Sequence, residues 1–141
     1  MRSMYAWLVE RLVRRAFNRL GQGDPSAALA IFGPATRFTF PGRSSWAIDT
    51  TDRAAIEEWF RRFASLGLQF TIHDVVVKGP PWNTRVRTRG ADRITTPSGA
   101  EYVNQWAQCA HLAWGKITED VIYLDTERLA VLDAELAAAR A

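Results

Sequence analysis

The strongest constraint on the fold of this 141-residue chain lies in its second half, where four β-rich runs follow one another with only short breaks. The runs cover residues 68–77, 83–94, 101–112 and 116–124, and stretches containing GPPWN, TPSG and WGK separate them. Gly, Pro, Asn and Ser between extended runs are typical of turns that join neighbouring strands. The pattern therefore predicts a meander of four antiparallel strands.

The first half has a helical pattern instead. Over residues 4–20, apolar residues recur every three or four positions with arginines between them, which predicts an amphipathic helix. Gly21 can end this helix, and Asp24 and Pro25 supply the N-cap and the first residue of a second, short helix that runs to about Phe32. We expect the two helices to pack as a hairpin.

A short strand and a loop are predicted next. A Gly-Pro pair ends the second helix, and residues 36–40 alternate Phe with polar neighbours before a Pro-Gly turn. Residues 43–51 are predicted to form a polar loop that carries Trp46. Asp52 can then cap a third helix, whose apolar face comprises Ile56, Trp59, Phe60, Phe63 and Leu66.

A last, Ala-rich helix is predicted from residue 126 onward, with Thr126 as its cap. Helices followed by antiparallel strands are typical of an α+β domain, in which the helices cover one face of a curved sheet. Such a sheet leaves a cone with an open mouth, and concave mouths of this kind are common sites for small molecules.

Composition narrows the function classes. The length suits one domain, and the net charge of +3 is too small to require a nucleic-acid partner. The single cysteine, Cys109, excludes an internal disulfide and a Cys-rich metal site, which suits a reducing cytoplasm. Glu10 and paired arginines interrupt the apolar N-terminal stretch, so we expect neither a signal peptide nor a membrane span.

Two segments carry a family resemblance. Residues 12–42, LVRRAFNRLGQGDPSAALAIFGPATRFTFPG, resemble the opening of SnoaL-like proteins of the nuclear transport factor 2-like (NTF2-like) superfamily. Residues 115–126, GKITEDVIYLDT, resemble the closing strand of these proteins. The resemblance implies one SnoaL-like domain over residues 1–130, built as a strongly curved antiparallel sheet wrapped over N-terminal helices. Residues 126–141 would form a C-terminal helix that extends it.

The resemblance does not settle the activity, because this superfamily includes polyketide cyclases, ketosteroid isomerases, epoxide hydrolases, dehydratases, ring-hydroxylase small subunits and proteins with no chemistry. A steroid-type isomerase would place its catalytic side chains near Ala16, Phe40 and Gln108, and none of these has the required chemistry. A limonene-type epoxide hydrolase would place a carboxylate at Ile122 and an arginine at Gly90. Both of these enzyme types are therefore disfavoured.

Alternation within residues 83–94 separates two faces. Arginines fall on one face, which we interpret as solvated, and the opposite face is predicted to point into the cone with Val86, Thr88, Gly90, Asp92 and Ile94. Burial of Asp92 would raise the pKa of its carboxyl toward a range useful for acid or base catalysis. The alternative is that Asp92 lies in water at the end of the strand.

The next run contributes further candidates. By the register that the resemblance implies, Asn104, Trp106 and Gln108 face the cavity, where two amides could orient a carbonyl or hydroxyl group beside an apolar ring. The alternative is cross-strand hydrogen bonding in a filled core. Cys109 and His111 share the opposite, convex face, and we interpret them as structural.

Two further residues have open assignments. The orientation of His73 is not decided by periodicity, and Asp120 shares a face with Ile122 near the cone or lies at an exposed strand start. With only two histidines and no metal-ligand spacing, we expect no metal and no cofactor.

These observations lead to two hypotheses. The first is a cytoplasmic protein that binds a hydrophobic, oxygen-bearing small molecule, with an isomerase, cyclase or dehydratase as its reaction class and with Asp92 or His73 moving the proton. Its predicted pocket residues are Trp46, Trp59, Phe63, Asn104, Trp106, Gln108 and Asp120. The second is a non-catalytic interaction module with a filled cavity. In both, we expect a homodimer through the convex sheet face, as the resemblance implies, and no nucleic-acid or membrane partner.

Overall fold

The computed structural model describes residues 3–140. Its helices are α1 (Met4–Gly21), α2 (Ser26–Ile31), α3 (Arg53–Ala64) and α4 (Thr126–Arg140). Its strands are β1 (Phe32–Phe40), β2 (Ile48–Thr50), β3 (Gln69–Lys78), β4 (Thr84–Thr95), β5 (Glu101–Ala113) and β6 (Lys116–Leu124). The α+β class and the order of helices and long strands agree with the sequence prediction.

All six strands belong to one sheet in the order β2-β1-β6-β5-β4-β3. The predicted meander is confirmed, because β3, β4, β5 and β6 pair with their sequence neighbours in antiparallel fashion. β1 joins the meander by pairing in parallel with β6. This pairing brings the chain's first strand beside its last one, so the concave face of the sheet carries residues from both halves of the sequence.

The prediction for residues 32–51 needs two corrections. The first strand begins at Phe32 rather than at residue 36, and its pairing with β6 shifts register between Phe32 and Arg37. Hydrogen bonds of Thr36 hold this irregular segment against β6. The Thr36 hydroxyl accepts from the backbone N–H of Gly33 and donates to the carbonyl of Ile117. The second correction is that the predicted loop contains β2, which pairs with β1 at the sheet edge.

The helix cap follows the sequence prediction at α3, where the Asp52 carboxylate accepts from the backbone N–H of Ala54. At α2 the helix begins one residue later than predicted: Pro25 is the N-cap, and the Asp24 carboxylate before it accepts from the backbone N–H of Ser26. At α4 the cap is Asp125 rather than Thr126, because an Asp125 carboxylate oxygen accepts from the backbone N–H groups of Glu127 and Arg128. An acidic cap at a helix N-terminus also interacts favourably with the helix dipole.

The core lies between the concave face of the sheet and the helices. Its centre is aromatic, with Phe38 fully buried and packed against Trp59 and Phe60 of α3 at ring-centroid distances of 4.8 and 5.3 Å. Leu129 and Leu132 of α4 are buried in the same core. Among residues 3–140, no helix has the length and apolar character needed to cross a membrane.

One glycine makes room for a tryptophan ring on the concave face of the sheet. Gly90 of β4 faces Trp106 of β5, and the Trp106 ring lies where a side chain at position 90 would project. A Cβ atom built on Gly90 would come within 2.7 Å of Trp106 Cζ2 and would overlap the backbone oxygen of Thr71 on β3. The absence of a side chain at position 90 therefore fixes where the Trp106 ring can lie.

We expect Gly90→Ala to lower the free energy of unfolding by about 3 kcal/mol, because the added methyl group overlaps both a backbone oxygen and a buried ring. Urea denaturation followed by tryptophan fluorescence measures this change. The matched control is Gly21→Ala at the end of α1, where a Cβ atom would meet the Leu68 oxygen at 3.4 Å. The control should change stability by less than about 1 kcal/mol, and equal losses in both variants would contradict the prediction.

Candidate functional site: the cavity under the sheet

A cavity of about 90 Å³ lies between the concave face of the sheet and the helices. This volume is below that of an engineered cavity of about 150 Å³ that binds benzene, so the empty space holds at most a group of about one small ring. Most of the wall is apolar, and its aromatic residues are Phe17, Phe32, Phe38, Phe40, Trp46, Trp59, Phe60, Phe63, Phe70, Tyr102 and Trp106. The wall therefore favours an apolar occupant.

Five buried polar atoms on this wall have no hydrogen-bond partner among the described residues. They are Trp46 Nε1, Asp92 Oδ1, Trp106 Nε1, Gln108 Oε1 and Asp120 Oδ2, and each belongs to a residue that lines the cavity. Most buried polar groups in folded proteins are paired, because leaving them unpaired costs free energy. Five such atoms on one cavity wall therefore offer hydrogen bonds to a polar group of a ligand.

Asp120 of β6 is the most deeply buried of these groups, with 1% of its surface exposed. Its Oδ1 accepts a hydrogen bond of 2.8 Å from Gln108 Nε2. Burial raises the pKa of the Asp120 carboxyl to about 7, and the Gln108 hydrogen bond opposes this only in part. The carboxyl is thus held in place through one oxygen and can take or release a proton near neutral pH.

Asp92 of β4 is a second acidic group, with 7% of its surface exposed. Burial raises the pKa of the Asp92 carboxyl to about 7. On β5, burial also raises the pKa of the Tyr102 phenol to about 12, and the charge of Asp92 contributes to this shift. At neutral pH the phenol is therefore protonated, while both carboxyls can take or release a proton.

The two carboxyls lie at different places along the sheet. Asp92 pairs with Asn104 of β5, whereas Asp120 pairs with Ala110 of the same strand. Six residues along a strand correspond to about 20 Å, before the curvature of the sheet is taken into account. Asp92 and Asp120 therefore do not form a coupled pair. They lie at opposite ends of the cavity wall, and the inward-facing side chains of β5 lie between them.

Trp106 lies in the middle of this wall and is fixed by its neighbours. Its ring stacks on Phe17 of α1 at a centroid distance of 4.7 Å, with 24° between the planes, and Phe70 of β3 approaches its edge at 6.1 Å. The indole N–H remains without an acceptor. A fixed, dry N–H group of this kind can donate to a ligand oxygen.

Polar contacts join α3, α4 and the loop before β2 at one side of the cavity. The Arg62 guanidinium lies 3.7 Å from the centre of the Trp46 ring and donates to the Ser45 carbonyl. Ser45 also donates to the Asp133 carboxylate from its backbone N–H and its hydroxyl. Trp59 Nε1 donates to the Trp46 carbonyl at 2.8 Å. These contacts fix the Trp59 ring by a hydrogen bond and the Trp46 ring by its packing against Arg62.

The structure brings most of the predicted site residues to the cavity. Those that line it are Trp46, Trp59, Phe63, Asp92, Trp106, Gln108 and Asp120. Asn104 does not line it, because its amide donates to the Tyr102 hydroxyl and to the Asp125 carbonyl and so holds β5 to the start of α4. Asn104 is buried and points inward as predicted, but its role in the described structure is to support the wall.

His73 is not part of the cavity wall. It is exposed and lies at an irregularity in the β3–β4 pairing, between Ile72 and Asp74. This irregularity adds a residue to β3, so simple alternation could not predict the direction of the His73 ring. Cys109 is exposed on the opposite side of the sheet from the cavity, as alternation predicted.

Sequence reasoning did not select Tyr102, Phe17 and Phe70 as site residues, although all three line the cavity. Tyr102 shares the inward face of β5 with Trp106, and this alternation was the available signal. No sequence pattern indicates that Phe17 of α1 stacks on Trp106 of β5, because this contact depends on how the helix crosses the sheet.

Both carboxyls have a pKa in the folded protein above that of an ordinary aspartate, so the folded protein retains protons that the unfolded chain has lost. The stability that these protons provide is complete below about pH 4 and is lost as the pH rises to about 7. We expect the double variant Asp92→Asn, Asp120→Asn to be about 2–4 kcal/mol more stable than the wild type at pH 8 and similar to it at pH 4.

Chemical denaturation at both pH values measures the difference. Asp49→Asn is the control, since Asp49 lies in an exposed ion pair with Arg37 that lowers the pKa of its carboxyl. It should not stabilise the protein at high pH. A double variant that is less stable than the wild type at pH 8 would show that the carboxyls are paired and favourable in the folded state.

Comparison with known proteins agrees with this architecture. The chain matches the SnoaL-like domain over residues 13–120. An NTF2-like protein of unknown function from Burkholderia pseudomallei is similar in structure, with a TM-score of 0.75, 15% identity and coverage of 89% of this chain and 96% of that one. TerC, co-crystallised with polyporic acid, has a TM-score of 0.74 and 16% identity, with coverage of 89% and 98%.

A third similar structure is SalBIII, an epoxide hydrolase/cyclase-like enzyme in pyran ring formation in the polyether salinomycin. It has a TM-score of 0.71 and 16% identity, with coverage of 86% of this chain and 94% of that one. No curated protein matches the chain at a significant level. At these identities the structures share the fold, and the family follows from the domain match. Because that match spans residues 13–120, the chain belongs to the SnoaL-like family and has the NTF2-like fold.

Proposed function

We propose that this protein binds a hydrophobic molecule with a carbonyl group in its cavity and catalyses proton transfer next to that carbonyl, as an isomerase or a cyclase does. One observation supports this proposal above all others. The Asp120 carboxyl is fully buried, one of its oxygens is held by Gln108, and its other oxygen has no partner among the described residues of an apolar cavity.

The proposed role of Asp120 is general base and then general acid. A carboxyl with a pKa near 7 is effective at neutral pH, because the basic form is populated and the proton it takes can be released again. Its carboxylate removes a proton from the carbon beside the carbonyl and later returns that proton to a different atom of the same molecule. The Gln108 hydrogen bond keeps the carboxyl in one orientation throughout.

The negative charge that develops on the carbonyl oxygen needs a donor. Trp106 Nε1–H is buried, lines the cavity and has no acceptor within residues 3–140. A preorganised donor in a dry site stabilises a developing oxyanion more strongly than water does. The amide oxygen of Gln108 cannot serve here, but it can accept from a hydroxyl group of the substrate.

One of the similar structures, SalBIII, supports this reaction class. SalBIII is described as epoxide hydrolase/cyclase-like, and its reaction forms a pyran ring. In this chain Ile122 lines the cavity two residues after Asp120, so the position that an epoxide hydrolase needs for its carboxylate is apolar. We therefore favour proton transfer at carbon over the hydrolysis of an epoxide.

Exchange of carbon-bound hydrogen in heavy water tests the proposal without the natural substrate. We expect the wild-type protein to accelerate hydrogen–deuterium exchange beside the carbonyl of cyclohexanone, as followed by NMR. Asp120→Asn should reduce this acceleration about 100-fold or more, because it removes the base. Trp106→Phe keeps a ring but removes the N–H, and should reduce it about tenfold or more.

Asp49→Asn serves as the control, since it removes a carboxylate from the exposed ion pair with Arg37. It should exchange hydrogen at the wild-type rate. The wild-type rate should also rise with pH through about 7, as the carboxyl of Asp120 ionises. Exchange by Asp120→Asn at the wild-type rate would remove the residue from this role.

The homodimer is a further part of the proposal, and it is also the arrangement that a non-catalytic interaction module would use. On the convex face of the sheet, Val103 is 38% exposed and Tyr123 is 56% exposed. Both belong to the central strands β5 and β6, where large exposed apolar side chains are typical of a contact surface. A second copy of this chain that packs on this face would cover them.

Light scattering at micromolar concentration measures the oligomeric state. We expect a dimer for the wild-type protein and a monomer for Tyr123→Glu, because a buried, unpaired carboxylate is costly in a contact surface. Val131→Glu is the matched control, since Val131 is 71% exposed but lies on α4, away from the convex face. A dimer that tolerates Tyr123→Glu and is lost in Val131→Glu would place the interface elsewhere.

A further inference from the structure

The charges around the cavity are one-sided. Among the described residues that line it, the titratable side chains are Asp92, Tyr102 and Asp120, and none is Lys, Arg or His. These three come from β4, β5 and β6, while the lining residues of the helices, β1 and β3 carry no titratable group. A ligand inside the cavity therefore meets an acidic group at either end of the wall and no cation among the described lining residues.

The arginines near this region point elsewhere or are already bound. Arg53 of α3 donates to the carbonyls of Leu29 and Phe32 and forms an ion pair with Glu57. Arg62 donates to the Ser45 carbonyl and lies 3.9 Å from the Asp133 carboxylate. The arginines of β4 alternate with the buried positions and lie on the exposed face of the sheet, opposite to Asp92. Arg53 and Arg62 would have to leave their partners to balance a negative charge inside the cavity, and the arginines of β4 lie across the sheet from it.

Because the described lining of the cavity has acidic groups and no cation, the free energy of desolvation determines which charged ligands can enter it. A carboxylate or phosphate group that enters an apolar cavity loses its water and finds no counter-charge, which is costly. An uncharged oxygen group can instead bond to the indole N–H of Trp106 or the amide oxygen of Gln108. An ammonium group can bond to an aspartate oxygen that has no partner within the described structure.

Of the two carboxyls, Asp92 is the better site for an ammonium group. Both of its neighbours on the inward face of β4, Gly90 and Ile94, are free of charge, and one of its oxygens has no partner among the described residues. Asp92 also retains more exposure than Asp120, so an ammonium group there can keep part of its hydration. Asp120 already accepts a hydrogen bond from Gln108, and Asp120 is the residue that the proposed reaction uses as its base.

We infer that the cavity selects its ligands by charge: it accepts apolar molecules that carry an amine or an uncharged oxygen group, binds the amine at Asp92, and rejects molecules whose polar group is a carboxylate, sulfate or phosphate. This inference rests on the proposed function, since it names the ligand class of the same cavity. It assigns to Asp92 a part in recognition that is separate from proton transfer at Asp120.

Three ligands of one ring size test the inference: benzylamine, benzyl alcohol and benzoate. An NMR titration that follows the indole N–H signal of Trp106 reports binding inside the cavity, even when the affinity is weak. We expect benzylamine and benzyl alcohol to bind to the wild-type protein and benzoate to bind about tenfold more weakly or worse, because it has no counter-charge.

The variant Asp92→Asn should weaken benzylamine binding about tenfold and change benzyl alcohol binding by less than about threefold, since only the amine depends on a carboxylate. Asp49→Asn is again the control and should alter neither. If Asp92→Asn does not fold, the comparison of benzoate with benzylamine on the wild-type protein still decides the charge selection.

Benzoate binding as tight as that of benzylamine would overturn the inference, and so would an amine preference that Asp92→Asn leaves unchanged. A failure of all three ligands to shift the Trp106 signal would overturn it too. None of these results decides the proposed function, because hydrogen exchange with an uncharged ketone depends on Asp120 and is measured separately.

Discussion

The contact between Trp106 and Gly90 is the constraint on which the rest of this structure depends. The ring occupies the space that the missing side chain leaves, and Phe17 of α1 stacks on it at 4.7 Å. The contact thus joins the sheet to the first helix and at the same time determines where an unpartnered indole N–H lies in the cavity. A single packing arrangement therefore sets the position of the helix and of a candidate donor group, and neither can shift without the other.

The cavity is formed at a cost in stability. Burial raises the pKa of the Asp92 and Asp120 carboxyls to about 7, which means that their ionised forms are disfavoured in the folded protein. Aromatic packing around Phe38 and Trp59 provides compensating burial of apolar surface in the same core. Groups that are unfavourable for folding and yet lie together in one cavity are typical of functional sites, where local destabilisation is retained because the chemistry needs it.

The sequence predicted the long strands and their inward faces well, because the two-residue period of a strand is a direct property of the residue order. Asp92, Trp106 and Gln108 all line the cavity for this reason. His73 could not be predicted in this way, since an irregularity beside it interrupts the period. Asn104 has the predicted direction, but its hydrogen bonds to Tyr102 and Asp125 depend on how α4 begins, which is a tertiary property. Periodicity thus predicts the face on which a side chain lies and not its partners.

The same alternation separates charge across the sheet. In β4 the arginines project outward, where Arg89 pairs with Asp74 and Arg93 with Glu101. The inward positions carry only uncharged residues and Asp92. A shift of one residue would reverse this arrangement and place a row of cations in the cavity. The acidic character of the cavity is therefore a direct consequence of the strand register. The β4–β5 register is fixed by the Gly90–Trp106 contact as well as by the backbone hydrogen bonds between the strands. The same register therefore determines both the shape of the cavity wall and the charge of the side chains that line it.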